Sequence, residues 1–396
     1  MQKDNKPRDY INKQPTVALL LGTMAHRRIT NTFKGIEPRY NAYVVSAQNT
    51  YPTGGDLGFP EKKCTTLSDI TKHIPKIRHN ISWDLKHYTF GIESALADAD
   101  AVISHSIDAL YAYQATLYCE KREIPSIIQE VTLIPLLHLG SRYYKYREKT
   151  ISSAKYIIAV TERAKITLEL EGVPSDKIRV VPFGIDTEMF NPNVSTVGVR
   201  ESLGLSEEDI VVLYVGNIHW EKGLYDLLNA AKLLSDDPTV KKRRLRFVLF
   251  GSTGAASEEL RKRISYFGLS EQFILPGAID YDKLPPIYAS SDMVVLASIP
   301  GKVVLESAPL VLLEAMASGV PVIGTYCGGI PEILGNDGIL VQPADTISLR
   351  DAIKQLAIDS EYRRELGSAG LARIKRLHDS RIVSAQYADI LDEARS

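Results

Sequence analysis

The sequence predicts an α/β protein built as two doubly wound, Rossmann-like parallel-sheet domains, and three observations carry that prediction. Short apolar or β-branched runs alternate with longer amphipathic segments throughout, the pattern of parallel strands covered by helices on both faces. The alternation halts at a Pro- and Asn-containing joint, NPNVSTVG at 191–198, and restarts near residue 210. The length of 396 residues suits two domains of roughly 150–200 residues each.

In the first half, strands are expected at Thr16–Leu21, Ala42–Ser46, Ala101–Ser104, Ser126–Gln129, Tyr156–Val160 and Arg179–Pro182. The run Val17–Leu21 is apolar at every position, as a strand buried on both faces must be, and far too short to span a membrane. Two long irregular stretches, 48–65 and 131–142, read as substrate-facing loops. In the second half, strands are expected at Ile210–Val215, Arg246–Phe250, Gln272–Leu275, Met293–Leu296, Val322–Thr325 and Gly338–Val341. Helices Leu224–Ser235, Ser257–Phe267, Lys283–Ala289 and Leu349–Ile358 lie between or beyond them, and Leu310–Ser318 is a run of helix formers closed by Gly319. A separate helical stretch, Asp379–Ala394, follows. The expected division is 1–190, 191–378 and 379–396.

An apolar fraction of 44%, a charged fraction of 24% and a net charge of −1 describe a globular protein and exclude nucleic acid as the main partner. Cys64, Cys119 and Cys327 are odd in number and far apart, without metal-ligand spacing, which suits a reducing cytosol. The polar start MQKDNKPRDYINKQP has no apolar centre, so neither signal peptide nor anchor is expected. A cytoplasmic location follows. Peripheral contact with the inner face of a membrane is a smaller expectation, from the apolar-then-basic segment at 133–149; a core helix with a solvated end is the competing reading.

Glu306 and Glu314 bracket the start of the Leu310 helix. A glutamate pair there is ordinarily a complement to the helix dipole or a solvated face. Beside free helix amides it can also present two acceptors next to an anion site, which suits a ligand with hydroxyls and a phosphate. Gly216, Gly251, Gly277 and Gly328-Gly329 all follow strands of the second half, so a cleft is expected along that edge. Lys222, before Gly223, would reach over the same edge as a phosphate partner or simply sit in solvent. His105 ends a first-half strand, where it is either a cleft histidine or a satisfied loop residue. Asp98-Ala-Asp100 precedes its strand and reads as a connector. No G-x-S-x-G, P-loop or G-x-G-x-x-G is present, against hydrolase, nucleotidase and dehydrogenase chemistry.

Three segments, VVPFGIDTEMFNP, VLYVGNIHWEKGLYDLLNAAKLL and ESAPLVLLEAMASGVPVIGTYCGGIPEIL, resemble in order and spacing the retaining glycosyltransferases of family 4. The resemblance covers most of 155–375; in the first half it rests on ADAVISHS and AVTERAK. It implies the GT-B fold, with the two domains facing a cleft, acceptor on the first and nucleotide sugar on the second, and a last helix crossing back. Carried over, it makes His105, Glu306 and Lys222 catalytic. Donor contacts would come from Gly22, Gly216, Asn217, Lys222, Gly277, Ala278, Ile279, Glu306, Ser307, Ala308 and Leu310, with Glu314 on the ribose hydroxyls. The implied reaction moves a hexose from a nucleoside-diphosphate sugar, UDP- or GDP-linked, to a hydroxyl of a sugar, lipid-linked or small-molecule acceptor, without metal or cofactor. A GT-B enzyme using a sugar 1-phosphate, or an inactive nucleotide-sugar-binding protein, are the rival readings. The chain departs from the family pattern at Asn217, where an arginine is common, at Ser307-Ala308 in place of Gly-Phe, and in GTMAHRRI, which lacks paired glycines. Arg27, Arg28 and His219 are the candidates to replace the absent arginine.

Overall fold

The computed structural model describes residues 14–48, 56–71, 87–137, 143–252, 254–301 and 305–396. Its first sheet has eight strands: β1 (Thr16–Gly22), β2 (Asn41–Ala47), β3 (Glu61–Thr66), β4 (Thr89–Phe90), β5 (Ala101–His105), β6 (Ser126–Glu130), β7 (Tyr156–Ala159) and β8 (Ile178–Val180). They run in the order β4-β3-β2-β1-β5-β6-β7-β8, all parallel except the β3–β4 pair. The second sheet contains β9 (Ile210–Val215), β10 (Leu245–Phe250), β11 (Phe273–Gly277), β12 (Met293–Leu296), β13 (Val322–Thr325) and β14 (Ile339–Val341). Its order is β11-β10-β9-β12-β13-β14 and it is parallel throughout. Both expected sheets are present.

Each sheet reverses its strand order beside its first strand, at β1/β5 and at β9/β12. Crevices beyond the carboxyl ends of such switch points are where open α/β sheets take ligands. The alternation of side chains along β1 shows why both faces need cover: Val17, Leu19 and Leu21 join Phe33, Tyr387 and Leu391 in one core. Ala18 and Leu20 join Leu96, Tyr111 and Cys119 in another.

The expected 48–65 loop is corrected in part. Residues Glu61–Thr66 form β3, paired with β2. Its sequence, EKKCTT, is polar because the strand lies near the sheet edge and is half exposed, so no apolar run marks it. Residues 49–55 and 138–142 lie outside the described residues, as does part of the 133–149 segment. No helix among the described residues is long and apolar enough to cross a membrane. Asp100 accepts from the Thr16 amide at 2.9 Å, the connector role read for Asp98-Ala-Asp100.

The last helix, Ser380–Arg395, packs on the first sheet through Val383, Tyr387 and Leu391. The chain returns beside its own outward crossing. The Ile185 amide donates to His378 O at 2.7 Å, and the Ser380 amide to Ile185 O at 2.9 Å. His378 Nδ1 must be the donor to the Phe183 carbonyl, 3.1 Å away, because a carbonyl can only accept. Burial lowers the His378 pKa to about 4, below the 6.5 of a free imidazole. The unfolded chain therefore binds a proton that the folded chain resists. Stability is lost as pH falls from about 6.5 through about 4, by at most about 3 kcal/mol from this group. We expect His378→Gln, which keeps a donor for Phe183 O, to flatten the melting temperature against pH across that window. An unchanged acid slope would assign the lability to other groups.

Candidate active site

A cleft of about 570 Å³ lies where the carboxyl edges of the two sheets meet, lined by Met24, His26, Arg28 and Ile29 from the first half and by strand-end and loop residues of the second. A larger cavity of about 790 Å³ opens beside Asp100, Pro125 and Lys155. Those residues precede β5, β6 and β7, so it sits on the amino edge, away from both switch points.

Lys222 is placed by a tight turn. It ends the short helix Trp220–Lys222, and Gly223 follows at φ +68°. A Cβ on Gly223 would sit 1.8 Å from Ala297 O, so only glycine lets this turn lie against the end of β12. The Ile299 amide donates to Glu221 O at 2.8 Å and fastens the contact. Lys222 Nζ then reaches Glu306 Oε1, which also accepts from Ser298 Oγ at 2.7 Å. Glu306 Oε2 has no hydrogen-bond partner among the described residues, and Glu306 lines the cleft.

The Glu306 loop is held from behind by Gly328-Gly329. The Gly329 amide donates to Glu306 O at 2.7 Å. Side chains at these two positions would approach Glu306 O and Ser307 O to 2.0 and 1.9 Å. Arg163, from the first half, donates to Gly328 O at 3.3 Å; sequence reasoning passed over it within AVTERAK. The helix Leu310–Ala317 begins after this loop. The amides of Ala308, Leu310 and Val311 have no hydrogen-bond acceptor among the described residues, and all three residues line the cleft. Free amides at the start of a helix can receive an anion.

Gly216 and Asn217, beyond β9, line the cleft, as do Ala278 and Ile279 just past Gly277, the last residue of β11. Tyr214 Oη donates to Asn217 O at 2.6 Å. Gly22 ends β1 with the Tyr111 ring against it, 2.7 Å from where a Cβ would lie; Gly22, Gly277 and Ser307 are not in the cleft wall.

The two glutamates occupy different settings. Glu314 is fully buried and stands behind the cleft wall. Arg28 Nη2 donates to its Oε2 at 3.1 Å, and Tyr288 Oη donates to the same oxygen at 2.9 Å. Arg28 Nε approaches Oε1 to 2.7 Å, at an angle too oblique for a hydrogen bond. Burial pushes the Glu314 carboxyl up, and Arg28 and Tyr288 pull it partly back. Of the three candidate cations, Arg27 pairs with Asp282 at the rim, and His219 lies exposed 3.4 Å from Glu221. Only Arg28 lines the cleft.

His105 ends β5 and is 5% exposed, outside the cleft wall. Its Nδ1 donates to Gln129 Oε1 at 3.2 Å, and Gln129 Nε2 donates to Tyr387 Oη at 2.5 Å. Burial holds the imidazole pKa below its ordinary value, so the ring is neutral. Glu130, which sequence reasoning missed, is also buried; its oxygens accept from the amides of Ile107, Val131 and Thr132 at 2.7–2.8 Å. It ties the loops after β5 and β6 together. A charged residue ending an apolar strand was the available signal.

Residues 199–373 match the family model described as glycosyl transferases group 1, and residues 43–189 match that of glycosyltransferase family 4. Together they span most of the chain. A D-inositol 3-phosphate glycosyltransferase of Acidothermus cellulolyticus is 31% identical over 266 residues, 65% of this chain and 58% of that protein. An uncharacterized glycosyltransferase of Methanocaldococcus jannaschii is 26% identical over 54% of this chain and 53% of its own. The chain thus spans little more than half the length of these curated relatives. Among solved structures, the HepE protein of Anabaena in complex with UDP superposes with a TM-score of 0.74 at 17% identity, covering 95% of this chain and 99% of that one. At that identity the likeness shows the fold, which is GT-B.

Proposed function

We propose a reaction from one premise, that this chain belongs to the family 4, group 1 glycosyltransferases: it transfers a hexose from a nucleoside-diphosphate sugar to an acceptor hydroxyl, with retained anomeric configuration. The observation that carries this reading is the meeting of Glu306, Lys222 and the free amides of Ala308, Leu310 and Val311 in one cleft. The amides and Lys222 Nζ would take the diphosphate and stabilise its charge as it departs, which needs fixed donors rather than a metal. Glu306 Oε2 would accept a hydroxyl of the donor sugar, and Ala278 and Ile279 would border the base. The second half, 191–378, is the donor side on this reading and 1–190 the acceptor side. His105, enclosed and neutral, would act near the sugar only through a change in its packing.

UDP is bound by the Anabaena structure, which favours a UDP-linked donor; GDP is the alternative. Relatives named for D-inositol 3-phosphate favour a small phosphorylated polyol as acceptor over a lipid-linked one. Three buried, unpaired cysteines support a reducing, cytoplasmic setting. A thermal-shift panel of UDP-, GDP-, ADP- and dTDP-sugars in EDTA tests the proposal, because a ligand of the native state raises its stability. Anomeric analysis of the product from whichever donor binds tests retention.

A further inference from the structure

The cleft wall contains two permanent cations among the described residues, Lys222 and Arg28. His26 is not a third: burial, with Arg28 beside it, lowers its pKa to about 4. Asn217 at the end of β9 brings no charge. Lys222 is already matched by Glu306. Among the described residues a diphosphate entering this cleft therefore meets a second cation, itself paired with Glu314, and it comes from the first domain.

The geometry points to Arg28 as a direct ligand of the donor's diphosphate, with Glu314 acting through it as a positioning residue. Glu314 takes the Nε and Nη2 edge of the guanidinium. Nη1 has no acceptor among the described residues, and the Arg28 side chain keeps 27% exposure. The Tyr281 ring lies 5.1 Å beneath the guanidinium carbon, and His26 Nδ1 accepts the Arg28 amide at 3.0 Å. A carboxylate on one edge, an aromatic face below and a fixed backbone leave the group one free direction, the cleft. A guanidinium held this way loses little freedom on meeting a phosphate, and its bond to an anion is charge-assisted.

This inference rests on the donor reading above, and its test separates the two. Dissociation constants for UDP, GDP and the matching nucleosides are measured by calorimetry on the full chain, its Arg28→Ala and Glu314→Gln variants, and Lys222→Ala as the control. Arg28→Ala is expected to weaken the diphosphate on the order of 10- to 100-fold and to leave nucleoside binding within twofold. Glu314→Gln, which keeps shape and a partial hold on the guanidinium, is expected to weaken it less. Unchanged diphosphate affinity in a folded Arg28→Ala overturns the inference. So does a larger loss in Glu314→Gln than in Arg28→Ala, which would put the ligand on Glu314 itself, and an equal loss for nucleoside and diphosphate, which would put Arg28 on the ribose. If the unaltered chain binds no nucleotide, the donor reading fails first; circular dichroism and melting curves of each variant identify any that do not fold.

Discussion

Lys222→Ala is expected to lower the rate of sugar transfer roughly 100- to 1,000-fold, the loss seen when one fixed donor to developing negative charge is removed. The melting temperature moves little, because Lys222 and Glu306 are both partly exposed, at 28% and 14%, and such pairs contribute about 1 kcal/mol or less. The effect therefore falls on turnover and not on folding. Lys222→Arg recovers part of the rate, since the charge returns in a different shape. Steady-state kinetics with the identified donor check this. A rate within tenfold of the unaltered chain would remove Lys222 from the chemistry.

Glu314→Ala is expected to destabilise the fold by about 1–3 kcal/mol, because it leaves the partly exposed Arg28 and the buried Tyr288 hydroxyl without their carboxylate. The double variant Arg28→Met/Glu314→Leu recovers most of that loss, since an apolar pair of similar volume has no charge to desolvate. The pair joins residues 286 apart in sequence and crosses from one domain to the other, so chemical denaturation reports on the interface as well as the core. Non-recovery in the double variant would mean that Tyr281 and Tyr288 depend on the charges themselves.

The twelve continuous apolar strands and the place where the series restarts were legible because period and composition are local. The polar strand β3 and the two-residue edge strand β4 were not, since strands at or next to a sheet edge need no apolar run. The glutamate pair shows the same limit at the site. Its position around a helix start could be read from nearby residues, and the glycine after Lys222 placed that lysine on the same edge, but its ion pair with Glu306 was not read from the sequence. What separates Glu314 from Glu306 is Arg28, supplied by a distant loop, and no spacing in the sequence encodes that meeting. Nor does a pattern distinguish His105 in a cleft from His105 packed on Gln129, because both end the same strand.

The stability of the chain against rising concentrations of nucleotide sugars and of sugar 1-phosphates, in EDTA, separates a nucleotide-sugar donor site from a sugar-phosphate site. A saturable rise in melting temperature is expected with one nucleoside-diphosphate sugar, lost in Lys222→Ala, with no comparable rise for the 1-phosphates. A response to a sugar 1-phosphate alone, with every nucleotide sugar inert, would contradict it.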